Sequence, residues 1–209
     1  MDATEKLAQV RAQLESDAPK LPLAGTAKNI VPGEGNAEAT VLFIGEAPGA
    51  QEAIERRPFV GRSGQLLRKT LAEIKLPSES YYISNIIKAR PPENRDPNPE
   101  EITAYKPYLD AEILAIDPVL IVTLGRFSMA KFLPDVRISQ VHGRLHRVVW
   151  QNQHRYVLPM YHPAAALRST QVKDLFIQDC AKIPKAVSWI QSQEDDTKLK
   201  QQVADALLE

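Results

Sequence analysis

Val41-Leu42-Phe43-Ile44-Gly45-Glu46-Ala47-Pro48-Gly49 decides how the rest of the chain is read. Four apolar residues that stop at Gly, Glu, Pro and Gly describe a buried strand delivering a tight turn at its carboxyl end. Open α/β sheets bind ligands at such ends. Gly45 and Gly49 let backbone amides approach a ligand, Pro48 stiffens the turn, and Glu46 puts a carboxylate in an apolar setting. The same pattern recurs. Residues 81–87 form a second apolar run, which feeds the basic, proline-stiffened loop 88–97. Residues 119–124 form a third and end at Gly125. Residues 145–150 and 156–160 flank the polar turn Gln151-Asn152-Gln153-His154 and read as an antiparallel hairpin, whose second arm runs into Tyr161-His162-Pro163.

Helical signals lie between these runs. Leu7, Val10 and Leu14 give an amphipathic helix over 3–16, followed by an irregular lead-in to Asn36. Residues 51–57 form a short helix or a loop. Ser63 stands as a cap for a helix over 65–74, and a proline-initiated helix covers 99–116. Further helices are expected near 127–132, from within 164–167, over 172–191 and, weakly, over 198–208. Strands alternating with helices predict an α/β fold with a mostly parallel sheet covered on both faces. A parallel sheet then places Gly45-Glu46, Asn85, Gly125 and His162 along one rim.

Composition narrows the function classes. The 209 residues suit one domain over 1–209, with 1–31 as a helix and lead-in and 192–209 as a weak tail. The 26 Lys plus Arg balance 26 Asp plus Glu, so nothing attracts polyanions in bulk, and any nucleic-acid contact must come from a local patch. Cys180 is the single cysteine, which excludes an internal disulfide and a multi-cysteine metal site. The acidic start and the lack of a long apolar run predict no signal peptide or membrane span, hence a soluble, cytoplasmic protein.

The motifs Gly45-Glu46-Ala47-Pro48-Gly49, Pro58-Phe59-Val60-Gly61-Arg62-Ser63-Gly64-Gln65-Leu66-Leu67, Tyr82-Ile83-Ser84-Asn85, Lys88, Arg90-Pro91-Pro92, Asn94-Arg95 and His162-Pro163-Ala164 resemble, in order, the family 4 uracil-DNA glycosylases. The match runs from about Pro32 to Arg168. The resemblance implies a three-layer αβα sandwich with a central four-stranded mostly parallel sheet. It also implies hydrolysis of the bond between uracil and deoxyribose in DNA, on a base extruded from the stack, by a monomer that leaves an abasic site.

Roles follow from the same resemblance, and the residue types suit them. Phe59 offers a flat face to the extruded base. Asn85 carries both a donor and an acceptor and can pair with uracil O4 and N3–H, whereas cytosine presents the opposite pattern. His162 donates to O2 as negative charge develops on the leaving base, helped by the turn of Gly45, Ala47 and Gly49. Glu46 orients or polarises the attacking water, with Glu52 as a second candidate. Arg62, Ser63, Lys88, Arg90, Arg95, Arg144 and Arg168 form the DNA-facing rim, and Leu167 or Arg168 is the wedge pushed into the duplex.

The sequence leaves the family pattern at one place. Family members hold an iron–sulfur cluster on four cysteines, and the corresponding positions here are Ala18, Leu21, Ala89 and Tyr105. Such clusters require thiolates, so no cofactor is expected. Packing among Leu21, Ala89 and Tyr105 then replaces the tie between the lead-in and the basic loop. A related group in the superfamily captures uracil covalently through a histidine on a loop inserted after the second strand; residues 88–99 here contain no His, so the resemblance implies turnover. Two other readings stand beside this one: a non-catalytic binder of uracil or damaged DNA, and an enzyme acting on free nucleobases or nucleotides.

Overall fold

In the computed structural model, which describes residues 1–193, alternation along the strands builds two cores. The sheet contains β1 (Glu34–Gly35), β2 (Val41–Gly45), β3 (Tyr81–Asn85), β4 (Leu120–Leu124), β5 (His146–Trp150) and β6 (Gln153–Met160), in the spatial order β1-β3-β2-β4-β6-β5. Successive side chains on a strand point to opposite faces. Thus Leu42, Ile44, Tyr82, Ile121 and Val157 enter one core, while Val41, Phe43, Tyr81, Ile83, Leu120, Val122, Leu124, Leu158 and Met160 enter the other. Most of these side chains are fully buried, and each such aliphatic or Phe side chain contributes about 1.5–3 kcal/mol.

The helices are α1 (Ala3–Asp17), α2 (Ala50–Glu55), α3 (Arg62–Glu73), α4 (Pro99–Ile116), α5 (Arg126–Ala130), α6 (Ile138–Val141), α7 (Pro163–Ala166) and α8 (Thr170–Cys180). Through Leu14, Tyr105, Leu109 and Ile113, α1 and α4 cover the first face. Leu67 and Leu71 of α3, Ala166 of α7 and Phe176 of α8 cover the second. The result is the expected αβα sandwich. Both long helices on the first face begin with a capping box: Asp2 and Glu5 for α1, Asn98 and Glu101 for α4. None of the described helices is long and apolar enough to cross a membrane.

The four expected parallel strands are present as β3-β2-β4-β6, but the sheet has six members. The additional edges are antiparallel: β5, the other arm of the hairpin, and β1, only two residues long and so invisible to any periodicity. Gln151 and Asn152 close the hairpin with φ of 48° and 61°, the left-handed pair that matches strand twist. Two helix limits differ from expectation. Helix α3 starts at Arg62 with Gly61 as its N-cap, so Ser63 lies in its first turn and does not cap it. The helix expected over 172–191 is broken: α8 ends at Cys180, and a separate helix runs over 183–193. Pro184, in the first turn of this second helix, cannot continue a preceding one. The helix expected over 198–208 lies outside the described residues.

Candidate active site

Parallel register brings the functional side chains together. Gly45 pairs with Asn85 across β2 and β3, and Leu124 pairs with Met160 across β4 and β6. Backbone bonds continue past the strand ends, from Ile87 N to Glu46 O at 3.2 Å and from Gly125 N to Met160 O at 2.8 Å. Glu46, Asn85, Gly125 and His162 therefore share one rim, and all four line a cavity of about 590 Å³ together with Ala47, Gly49, Phe59 and Ser63.

Phe59 is fixed from several directions. Its backbone is left-handed, with φ of 55°. Glu52 Oε1 accepts from the amides of Val60 and Gly61 at 3.1 and 2.8 Å, and Arg68 donates to the carbonyls of Pro58 and Phe59, each at 3.1 Å. Gly64 completes the fit, because a Cβ there would lie 2.0 Å from the Phe59 carbonyl. Gly45 plays the same part on the opposite side: a Cβ on it would sit 2.4 Å from Asn85 Oδ1 and 2.5 Å from Phe59 Cζ. The aromatic ring and the amide thus converge on a position that only glycine leaves open.

Asn85 is 2 % exposed, and its Oδ1 is buried without a hydrogen-bond partner among the described residues. Leaving a buried acceptor unpaired costs about 1–3 kcal/mol, and this oxygen faces Gly45 of β2, 2.4 Å from where a Cβ there would stand. The His162 ring lies 5.7 Å from that of Phe59, tilted by 36°. His162 caps α7, its Nδ1 accepting from Ala164 N at 3.1 Å. In a neutral ring the proton is then on Nε2, free to be donated. Burial and the nearby Arg168 charge lower its pKa to about 4, which keeps the ring neutral. Burial, reinforced by the Asp96 carboxylate and opposed by Arg126, raises the proton affinity of Glu46.

The remaining expected residues divide. Arg95 and Arg168 line the cavity with Ser63. Arg62, Arg90, Arg144 and Leu167 are exposed but do not line it. Lys88 is a correction to the DNA-facing rim: it is completely buried, donating to Glu112 Oε2 at 2.6 Å and to Ser84 Oγ. A lysine following a strand reads as solvated in sequence, but its partner is 24 residues away on α4. Glu52, the second candidate for the water, also has a part in the loop. Its Oε1 accepts from two loop amides, so it holds the Phe59 loop, while Glu46 and Glu52 both line the cavity. Sequence reasoning missed Asp96, Arg126 and Tyr161, which also line the cavity.

The positions corresponding to the family's cluster cysteines lie together. Ala18, Ala89 and Tyr105 are each 0 % exposed in one apolar cluster, with Leu21 packed against it. Tyr105 donates its hydroxyl to Pro22 O at 2.7 Å, tying α4 to the lead-in. Cys180 is buried in the core on the other face. An iron–sulfur cluster does not fit these residues, which supply no thiolate. Among the described residues, no group of three or more His, Cys, Asp or Glu is placed to hold a metal ion.

Comparison with known proteins gives the family. The family profile of the Uracil DNA glycosylase superfamily matches residues 32–187. The chain is 42% identical over 167 residues to a Type-4 uracil-DNA glycosylase of Saccharolobus solfataricus, covering 77% of each. It is 42% identical over 170 residues to the Type-4 enzyme of Archaeoglobus fulgidus, covering 78% of this chain and 85% of the relative. It is 35% identical over 195 residues to the Type-4 enzyme of Thermotoga maritima, covering 92% of this chain and all of the relative. With a matching profile over most of its length and relatives this similar, the chain belongs to the uracil-DNA glycosylase superfamily.

Proposed function

We infer that this protein is a uracil-DNA glycosylase that extrudes uracil from DNA and hydrolyses its N-glycosidic bond, the first step of base-excision repair. One observation carries the reading: Glu46, Phe59, Asn85 and His162 surround a single cavity. In that cavity the base lies against Phe59, and Asn85 accepts from N3–H and donates to O4. A cytosine ring places an acceptor where Asn85 needs a donor, and the mismatch leaves buried groups unpaired.

Cleavage moves the C1′–N1 electron pair onto the uracil ring and leaves positive charge on the sugar. His162 stabilises the leaving anion by a hydrogen bond from Nε2–H to O2; being neutral, it donates a hydrogen bond and not a proton. Glu46 orients the water that adds to C1′ and takes up its proton. The raised proton affinity of Glu46 brings this carboxylate nearer to the range in which a general base works best. Among the described residues no lysine lines the cavity, which supports base removal without strand cleavage. The reading extends to a cluster-free, monomeric, cytoplasmic enzyme, with Leu167 or Arg168 entering the duplex.

The test is incubation with a uracil-containing oligonucleotide followed by alkali. Strand scission that appears only after alkali, and that is lost in His162→Ala and Asn85→Ala, supports the reading. Absence of scission with excess enzyme overturns it.

A further inference from the structure

The spatial order β3-β2-β4 places the end of β2, where Glu46 sits, between the ends of β3 and β4. Asp96 comes from the loop beyond β3 and Arg126 directly follows Gly125 beyond β4. Their side chains form an ion pair that joins these two segments at the cavity lining. Both charges reach Glu46. The pair is open to solvent, with Arg126 64% and Asp96 62% exposed, and exposed pairs of this kind hold together weakly. The guanidinium also lies over the Phe127 ring, 4.6 Å from its centroid, which orients it without neutralising it.

The other lining arginine of this segment is differently placed. Arg95 makes two bonds to Glu101, at 2.9 and 2.5 Å, and that carboxylate is only 5% exposed and also belongs to the capping box of α4. Its charge is committed to the fold. Among the described residues, the ion-pair partner that Arg126 would have to release is Asp96.

We propose that Arg126 is a phosphate clamp kept in reserve by Asp96, and that the phosphodiester beside the extruded nucleotide displaces Asp96 from it. The guanidinium then grips the backbone at the cavity mouth, where a planar pair of donors suits two phosphate oxygens. Asp96 acts as a competitor that keeps the clamp from non-specific anions. This rests on the glycosylase reading for the identity of the polyanion, and it adds a residue that the motif set does not contain.

The two partners must therefore have opposite effects, which a merely structural strap does not produce. The experiment measures binding to a labelled oligonucleotide carrying a tetrahydrofuran abasic site, between about 50 and 200 mM salt. Arg126→Gln should weaken binding about tenfold or more and reduce the salt slope by about 1. Asp96→Asn should tighten binding while leaving the slope at least as steep. Weakening by Asp96→Asn comparable to that by Arg126→Gln, or an unchanged slope in Arg126→Gln, overturns the proposal. The two failures are separable, because binding is read on a product-like strand. Opposite binding effects without any uracil release by the wild type fail the glycosylase reading alone; normal release with parallel binding losses fails the clamp alone.

Discussion

Replacing Gly45 with Ala isolates the feature that makes the cavity specific. The new Cβ would lie 2.4 Å from Asn85 Oδ1 and 2.5 and 2.6 Å from Phe59 Cζ and Cε2, against an ordinary contact distance starting at 3.4 Å. Gly45 itself cannot retreat, since β2 is paired with both β3 and β4. Asn85 and Phe59 must therefore yield by about 1 Å, and they can do so into the cavity, so the overpacking cost falls at the low end of about 1–3 kcal/mol. Misplacement of about 1 Å in groups that position a substrate costs about 100-fold in rate. Gly45→Ala should then melt within a few degrees of the wild type while its single-turnover release of uracil falls about 100-fold. A variant equally stable and within threefold of the wild-type rate would refute the idea that Phe59 and Asn85 grip the base at this point.

Further predictions concern other parts of the molecule. The folded state keeps His162 neutral down to about 4, whereas an unfolded chain takes up that proton near 6.5. The unfolded state thus binds more protons between these values, and stability should fall as pH drops through this window; a melting series should show a shallower fall in His162→Gln than in the wild type. The purified protein should be colourless and contain no stoichiometric iron or sulfide, and a chelator should leave its melting temperature unchanged. Tyr105→Ala should cost about 3–5 kcal/mol in denaturant unfolding, and Tyr105→Phe, which removes only the bond to Pro22, about 0.5–1.5 kcal/mol. Lys88→Met leaves Glu112 buried without its cation and should cost about 3–5 kcal/mol, with much of the loss recovered in Lys88→Met/Glu112→Leu; equal stability of the single variant and the wild type would contradict the buried pair.

What sequence could reveal depended on whether a feature was local. The four parallel strands were legible because each is an apolar run, three of them stopping at or just before a small or polar residue, and the rim followed because parallel strands align such ends. The tie among Leu21, Ala89 and Tyr105 was legible through the resemblance alone. Lys88 was misread because burial by a partner on α4 has no local signature. The start of α3 was misread because Ser63 suits a cap, whereas Gly61 is the cap and Gly64 lies inside the helix, where the missing Cβ admits the backbone of Phe59. Glu52 read only as a second candidate for the water, and its hold on the Phe59 loop through two amides is visible only in the fold. The Asp96–Arg126 pair joins residues 30 apart in different loops and carried no signal that distinguished it from solvated charge.

The convergence of Asn85, His162 and Phe59 on one base is tested most directly by a crystal structure of the protein bound to abasic DNA and free uracil. Uracil should stack on Phe59, with Asn85 bonded to N3 and O4 and His162 Nε2 bonded to O2. Uracil bound elsewhere, or bound there with the Asn85 amide turned away, would contradict the assignment of this cavity as the place where the base is recognised and released.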